Sequence, residues 1–285
     1  MNSPFKFILS LFILNLFSNL VFSQEEMFIK GTILSDKNKP LDYVNIGIVG
    51  TSLGTVSDEE GQFQLYFNAT VKDSDIVRFS SIGFENQNFS VNDLKKENNL
   101  TITLATKTTQ LEEVVVIPEF KNSKLKGNKN TDARMNVFYS ISKKPNQNLG
   151  AEIGRKFKIK KRSRLRKMRF YIAKNNFDTV LFRINVYHLK KRKPGKNILS
   201  QNIIHEVIGK KSGWIEVDLM PYQIMTSRSV IVGVEWIGHS KNGKYLTLPI
   251  TVPSVGSVHF YKYGSQNKWK RFDLMSSCIE LEYGY

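Results

Sequence analysis

The 285-residue chain has only one cysteine, Cys278. A single cysteine excludes an internal disulfide and a zinc centre built from several thiolates. None of the four histidines is followed by a glutamate three residues later, a spacing that zinc hydrolases use. A phosphate-binding G-x-x-x-x-G-K-[ST] loop is also missing. The sequence therefore predicts no catalytic residue, no metal site and no cofactor. Cys278 itself is expected to be a small buried hydrophobe.

Long apolar runs are confined to the first residues of the chain. Residues 7–22 are apolar apart from serine and asparagine and follow Lys6, while Val21 and Ser23 fit the positions three and one before a cleavage site. This pattern predicts a signal peptide over residues 1–23. The alternative is a retained membrane anchor, for which the run is short. We therefore expect an exported protein of the periplasm, the outer membrane or the cell surface.

Negative charge is scarce, since 25 Asp and Glu stand against 42 Lys and Arg, a net charge of +17. The imbalance is uneven: residues 24–117 carry a net charge of −6 and residues 118–285 a net charge of +22. Between the halves, 121–131 is rich in Gly, Asn and Lys, with one large apolar residue. Such a segment buries too little surface to become ordered. The sequence predicts a linker at 118–134, between domains at 24–117 and 135–285.

The acidic first domain has the pattern of a β-sandwich. Apolar and polar residues alternate in 44–48 and 62–67, which places one face of each strand in a core. Turn residues recur about every ten positions, a spacing typical of sandwiches. Asp58 and Gly61 predict a tight turn, because aspartate bonds to nearby backbone and glycine permits positive φ.

Several segments of this domain, in this order, resemble the carboxypeptidase-regulatory-like domain, a small transthyretin-like sandwich. They are 30–33 (KGTI), 39–46 (KPLDYVNI), 50–55 (GTSLGT), 57–63 (SDEEGQF) and 80–84 (SSIGF). The resemblance extends to the N-terminal extension of outer-membrane TonB-dependent transporters, in which a segment like 111–116 (LEEVVV) follows. It covers 27–117 and implies a non-catalytic accessory domain. Segment 111–116 is either the last strand of the sandwich or a strand that is added to a partner protein.

The basic second half also alternates with the period of strands, in 180–186, 213–219, 230–236 and 278–283. The parity of the apolar positions changes across Arg166, which predicts a β-bulge. We expect an all-β chain of two sandwiches, the first transthyretin- or Ig-like and the second jelly-roll-like.

The densest charge lies in the run 155–169, and we take its basic residues as candidate anion-binding groups. A dense positive field attracts polyanions. Lipopolysaccharide-like phosphates or an envelope glycan fit an exported protein, whereas nucleic acid is not expected. A solvated strand face that only maintains solubility is the equal alternative. The candidates are Arg155, Lys158, Lys160, Arg162, Arg164, Arg166, Lys167 and Arg169.

Aromatic residues suggest a second candidate site. Trp214, Glu216 and Asp218 share one strand face, and Trp269 could lie near them, which suits a sugar ring and its hydroxyls. Any half-exposed strand has such a face, and Trp236 is expected in the core.

Together these patterns favour a non-catalytic cell-envelope protein that binds an anionic or carbohydrate partner. A glycan-active enzyme that uses Glu216, Asp218 or Glu235 is one alternative. An accessory of an outer-membrane transporter, with that membrane protein as partner, is another.

Overall fold

A computed structural model describes residues 27–107, 120–139 and 148–285, whose regular secondary structure is almost entirely β-strand. The predicted all-β fold is confirmed. The predicted signal peptide, 1–23, and the segment 111–116 lie outside the described residues. No helix in the described part of the chain is both long and apolar enough to cross a bilayer.

The first domain packs a three-stranded sheet, β4-β1-β7, against a four-stranded sheet, β3-β2-β5-β6. Its elements are β1 Phe28–Ser35, β2 Asn45–Ile48, β3 Gly54–Val56, β4 Gln62–Tyr66, β5 Ile76–Ser80, β6 Gln87–Ser90, α1 Val91–Leu94 and β7 Leu100–Leu104. Strand β7 is parallel to β1, and the other pairs are antiparallel. The alternating positions meet in one core that includes Ile33, Ile46 and Phe79, all with no exposed surface.

The turn between β3 and β4 forms as its sequence predicts. Asp58 Oδ1 accepts hydrogen bonds from the backbone N–H of Glu60 at 3.1 Å and of Gln62 at 2.7 Å. Gly61 has a φ of 74°, a conformation that a Cβ would strain. The side chain and the glycine together reverse the chain in four residues, so that β4 returns along β1.

The second domain is a larger sandwich. One layer is a seven-stranded sheet in the order β14-β13-β18-β10-β20-β21, with β15 on β13. The other layer consists of a five-stranded sheet, β16-β11-β23-β8 with β17 on β11, and a four-stranded sheet, β12-β19-β22 with β9 on β19. The strands are β8 Ser123–Gly127, β9 Met135–Phe138, β10 Ala151–Phe157, β11 Ser163–Ile172, β12 Lys174–Asn175, β13 Thr179–Lys190, β14 Lys193–Asn197, β15 Ile203–Ile208, β16 Gly213–Asp218, β17 Met225–Thr226, β18 Val230–His239, β19 Leu246–Thr251, β20 Val258–Lys262, β21 Lys270–Asp273, β22 Ser276–Ser277 and β23 Ile279–Gly284, with a 3₁₀ turn at Met220–Tyr222.

The predicted bulge is present in β11. Its pairing with β23 shifts between Leu165 and Lys167, so that Arg166 is the extra residue. The shift returns Leu165, Met168 and Phe170 to the same buried face, where all three have no exposed surface. A single inserted residue thus keeps a ten-residue strand in register with the core.

The predicted linker is wrong where the structure describes it. Ser123–Gly127 forms β8, an edge strand paired antiparallel with β23. The segment buries few side chains, as its composition suggests, but its backbone groups bond to the open edge of β23. Backbone pairing needs no apolar side chain, and for that reason the composition did not reveal it. The second domain therefore starts upstream of 135.

The two domains are docked through glycines that let their backbones approach closely. Ser265, which follows β20, donates a hydrogen bond from Oγ to the Ile46 carbonyl at 2.5 Å. A Cβ at Gly47 or at Gly54 would lie 2.6 Å from that same Oγ. Gln266 Nε2 adds a bond to Ser80 Oγ at 2.8 Å. The 50–55 run therefore serves the interface as well as a turn.

We expect Gly54→Ala to loosen the docking, since the new methyl group would displace Ser265. Faster hydrogen exchange of the backbone amides at 263–266 and in β2 would show this. The control is Gly83→Ala, which places a Cβ in open space in the same domain. Gly83 has a φ of 84°, so this control adds a backbone strain that Gly54→Ala does not have, but it leaves the interface untouched. Equal exchange at 263–266 in both variants would contradict the role of close approach.

Candidate functional site

The basic run 155–169 does not form one surface. Arg155 lies on β10, partly buried, and donates from Nε to Ser276 Oγ at 2.9 Å. Lys158, Lys160 and Arg162 are exposed in the turn between β10 and β11. The remaining four candidates belong to β11, in the opposite layer of the sandwich. The run therefore passes from one sheet to the other.

The basic residues of β11 are engaged by neighbouring groups. Lys167 Nζ lies 2.8 Å from Glu216 Oε1, and Arg169 Nε lies 2.6 Å from Glu280 Oε2. Arg164 and Arg166 donate to the backbone carbonyls of Met220 and Phe120. The expectation of a continuous cationic strand face is wrong, because β16 and β23 flank β11 with carboxylates. The anion-binding role of the eight candidates stays a prediction.

One group of exposed cations lies on turns at one end of the seven-stranded sheet. Phe157 at the end of β10 and His188 near the end of β13 both pair with Val230, the first residue of β18. The turns that follow β10 and β13 and the turn that precedes β18 therefore share this end. We call their exposed basic residues the cationic end: Lys158, Lys160, Lys161, Arg162, Lys190, Lys191, Arg192, Lys193 and Arg228.

Little negative charge opposes the cationic end. Within the described residues, Arg192 is its one member with a carboxylate inside 4.0 Å, Asp273 at 3.9 Å. Lys161 Nζ lies 5.7 Å from the centre of the Tyr285 ring, and Arg228 contributes to lowering the pKa of His188, after burial of the imidazole. Lys190–Lys193 and Arg228 were not among the predicted site residues, since only strand pairing brings them to the turn 158–162.

The predicted aromatic site is only partly assembled. Trp214, Glu216 and Asp218 do share the outer face of β16, and both carboxylates are exposed. The Arg169 guanidinium, however, covers the Trp214 ring at 4.6 Å from its centre. Trp269 packs against Tyr187 on the outer face of the other layer, so it does not join Trp214. Trp236 is fully buried, as expected.

The face beside Trp214 holds a shallow cavity of about 150 Å³. Its lining includes the ion pairs Lys167–Glu216 and Arg169–Glu280, which join β11 to β16 and to β23. In the described ranges, no three His, Cys, Asp or Glu side chains group in a way that could hold a metal ion. The lining residues are Leu125, Lys167, Met168, Arg169, Glu216, Glu280 and Glu282.

Glu235 lies in a buried row of four charged residues that crosses the seven-stranded sheet. Arg183 on β13 pairs with Glu235 on β18, which pairs with Glu152 on β10, which pairs with Lys262 on β20. Arg183 Nε lies 2.8 Å from Glu235 Oε2, and Lys262 Nζ lies 3.0 Å from Glu152 Oε2 and 3.5 Å from Glu235 Oε1. We call these four residues the charged row.

The first domain covers the charged row. Asn45 Nδ2 donates to Glu235 Oε1 at 2.9 Å, and Arg183 Nη1 donates to the Tyr43 carbonyl at 2.7 Å. Asn185 Nδ2 bridges the two carboxylates, at 3.1 Å from Glu152 and 2.8 Å from Glu235. Glu235 is 1% exposed, so it is out of reach of a substrate in this arrangement. The structure gives no support to Glu235 as a hydrolytic group.

The two carboxyls of the charged row have opposite pKa shifts. Burial alone would raise the pKa of Glu235, but Arg183 and Lys262 hold it below its ordinary value. Burial raises the pKa of Glu152, and the Glu235 charge raises it further against the pull of Lys262. Glu235 therefore keeps its charge most firmly, and Glu152 takes up a proton first as the pH falls.

Ser52 and Cys278 are residue types that can act as nucleophiles, but their surroundings are not those of a catalytic nucleophile. Residues 50–54 match the pattern G-x-S-x-G, but Ser52 lies in the turn between two strands, β2 and β3, and not in the strand-to-helix elbow of a hydrolase. Cys278 is fully buried, and burial together with the Glu280 charge raises the pKa of its thiol to about 12. The thiol is therefore protonated and inert.

We expect Glu235→Gln to lower the free energy of unfolding by about 3–5 kcal/mol at neutral pH, because it leaves Arg183 buried without a counter-charge. Glu152→Gln should cost less, since Lys262 keeps Glu235 as a neighbour. Denaturant unfolding of both variants measures the difference. A larger loss for Glu152→Gln would contradict this assignment.

The pH dependence of folding stability should also differ between the wild type and these variants. Wild-type stability should increase as the pH falls through the raised pKa of Glu152 towards 4.5, the ordinary value, because the folded state binds that proton more tightly. Glu152→Gln should lack this increase. Below pH 4.5 the Glu235 contribution should be lost, since its folded pKa is the lower one. A pH series of unfolding midpoints tests both signs, and identical profiles for wild type and Glu152→Gln would contradict the first.

Comparison with known proteins places the first domain in a family. Residues 29–116 match the family model of the CarboxypepD_reg-like domain. The TonB-dependent receptor SusC of Bacteroides thetaiotaomicron is 31% identical over 116 residues, and the TonB-dependent receptor P3 of Formosa agariphila is 35% identical over 118 residues. Each match covers 41% of this chain and 11% of the receptor, so the chain spans only a small part of these relatives.

Among solved structures, the clostridial cysteine protease Cwp84 after propeptide cleavage aligns with 94% of this chain and 73% of its own, at 11% identity and a TM-score of 0.41. A structure of the cysteine protease and lectin-like domains of Cwp84 from Clostridium difficile aligns with 85% of this chain and 58% of its own, at 11% identity and the same TM-score. This likeness is too distant to support a functional conclusion. The family match confirms the resemblance seen in the sequence: residues 29–116 are a CarboxypepD_reg-like domain.

Proposed function

We propose that this protein is an exported, non-catalytic component of the bacterial cell envelope that binds an anionic partner through its cationic end. The observation that carries the proposal is the set of exposed Lys and Arg side chains on turns that meet at one end of the second domain. Such a field raises the local concentration of polyanions and speeds their encounter. Lipopolysaccharide phosphates and acidic envelope glycans have the matching charge.

Envelope association is supported by two independent features. The domain at 29–116 is shared with TonB-dependent receptors. The sequence of residues 1–23 has the pattern of a signal peptide. An outer-membrane protein is therefore a second kind of partner, which the first domain would contact.

The placement of the first domain suits a spacer or docking module. It contacts the second domain at the start of β10, where Gly54 bridges to Asn148, and the cationic end lies beyond the other end of that strand. The seven residues of β10 span about 20 Å at the usual rise of a strand. Both surfaces can thus be occupied at once.

A glycan contact on the Trp214 face is the second candidate, since Glu216 and Asp218 are exposed beside an aromatic ring. It ranks lower because Arg169 covers that ring. A glycan-active enzyme would use the same two carboxylates, and turnover of a polysaccharide panel that disappears in Asp218→Asn would favour it.

We expect Lys160→Gln/Lys161→Gln to elute from an immobilised acidic polysaccharide, such as alginate, at lower salt than the wild type, because ionic contacts weaken as salt rises. The matched control is Lys211→Gln/Lys241→Gln, which removes the same charge from two exposed lysines on the turns after β15 and β18, at the opposite end of the domain. Its elution should change little. Equal effects of the two variants would show that net charge, and not the cationic end, governs retention; no retention of the wild type at low salt would overturn the proposal.

A further inference from the structure

The cationic end also carries exposed aliphatic side chains at its loop tips. Val255 is 91% exposed, Leu274 is 51% exposed and Val252 is 40% exposed. Val252 and Val255 lie in the loop between β19 and β20, and Leu274 lies in the turn between β21 and β22. Binding of a soluble polyanion would not bury these aliphatic side chains, since such a ligand is held through charge and leaves them in water.

These tips adjoin the basic turns. Ser254 N donates to the Leu274 carbonyl at 2.7 Å, which joins the two aliphatic loops. Arg271 Nη1 donates to the Arg192 carbonyl at 3.3 Å, and Arg271 also bonds to the Asp273 carboxylate, so that the turn 190–193 lies beside Leu274. Aliphatic tips and basic turns are thus parts of one surface.

Strand pairing puts the turn 158–162 on that surface as well. Arg155 on β10 pairs with His259 on β20, and the strands are antiparallel. The chain leaves β10 towards 158 at the same end at which it enters β20 from 257. The turn 158–162 and the loop 252–257 therefore flank this end of the sheet, with β10 and β20 as neighbours.

Cations beside exposed aliphatic side chains are the two features by which peripheral proteins hold an anionic bilayer. Each Lys or Arg near such a surface strengthens binding about fivefold at moderate salt. Apolar side chains that enter the interface add affinity that salt does not screen. One signal alone gives weak and reversible binding, whereas two together give stable attachment.

We propose that the cationic end docks on the surface of an anionic lipid bilayer, with Val252, Val255 and Leu274 entering the interface between headgroups. This inference rests on the proposed function and names lipid as the source of the negative charge. In this orientation the turns of the cationic end contact the membrane, and the first domain lies on the side of the second domain that faces away from the lipid.

The test is sedimentation with vesicles of phosphatidylethanolamine and phosphatidylglycerol, compared with neutral vesicles of phosphatidylcholine. Wild type should bind the anionic vesicles and not the neutral ones. Val255→Ser/Leu274→Asn should weaken vesicle binding about tenfold, because two apolar contacts are lost. The same variant should elute from alginate at the wild-type salt concentration. Lys160→Gln/Lys161→Gln should weaken both.

Ile208→Ser is the matched control, since Ile208 is 69% exposed and lies on β15 at the opposite end of the domain. It should bind vesicles as the wild type does, and unfolding midpoints should show that all variants are folded. Retention on alginate without vesicle binding would overturn the lipid inference and leave the proposed function standing. Loss of both would overturn both. Vesicle binding unchanged in Val255→Ser/Leu274→Asn would overturn the insertion of the loop tips.

Discussion

The arrangement of the two domains depends on the neutralisation of four buried charges. Glu152 and Glu235 face each other on adjacent strands, an unfavourable pair that Arg183 and Lys262 flank on the next strand at either side. The row has no net charge, and each member is 7% exposed or less. Removing a charge from water costs free energy, and proteins bury charged side chains only when these are paired and hydrogen-bonded. The first domain completes this condition through Asn45 and the Tyr43 carbonyl.

Close backbone approach reinforces this constraint. Gly233 leaves room for the Glu152 side chain, since a Cβ there would lie 2.0 Å from Glu152 Oε1. Gly47 and Gly54 leave room for Ser265 in the same way. Glycines are thus required in both domains. Gly233 of the second domain makes room for a buried carboxylate, and Gly47 and Gly54 of the first domain make room for the backbone and side chain of Ser265. These contacts hold the first domain near the start of β10, so that the opposite end of the seven-stranded sheet is not covered by it.

Density of charge in the sequence and accessible charge in the structure are different quantities. On β11, strands β16 and β23 bring Glu216 and Glu280 beside Lys167 and Arg169, so the local field is small. Among the described residues, eight of the nine members of the cationic end have no carboxylate within 4.0 Å, so their field is less opposed. The distinction moves the candidate surface from the strand, where the basic residues are most numerous, to the turns at its end.

Features that depend on neighbours along the chain could be predicted from the amino-acid sequence. Alternation predicted the strands, the change of parity at Arg166 predicted the bulge, and ordered motifs predicted the domain at 27–117, which the family model matches at 29–116. Contacts between distant segments account for the rest: Ser123–Gly127 is an edge strand, Trp269 and Trp214 lie on different layers, and Arg183 and Glu152 are buried. On their strands these last two occupy polar positions that alternate with core residues, which predicts exposure to solvent. They are covered because a second domain packs on that face, and pairing between distant segments leaves no local pattern in the sequence.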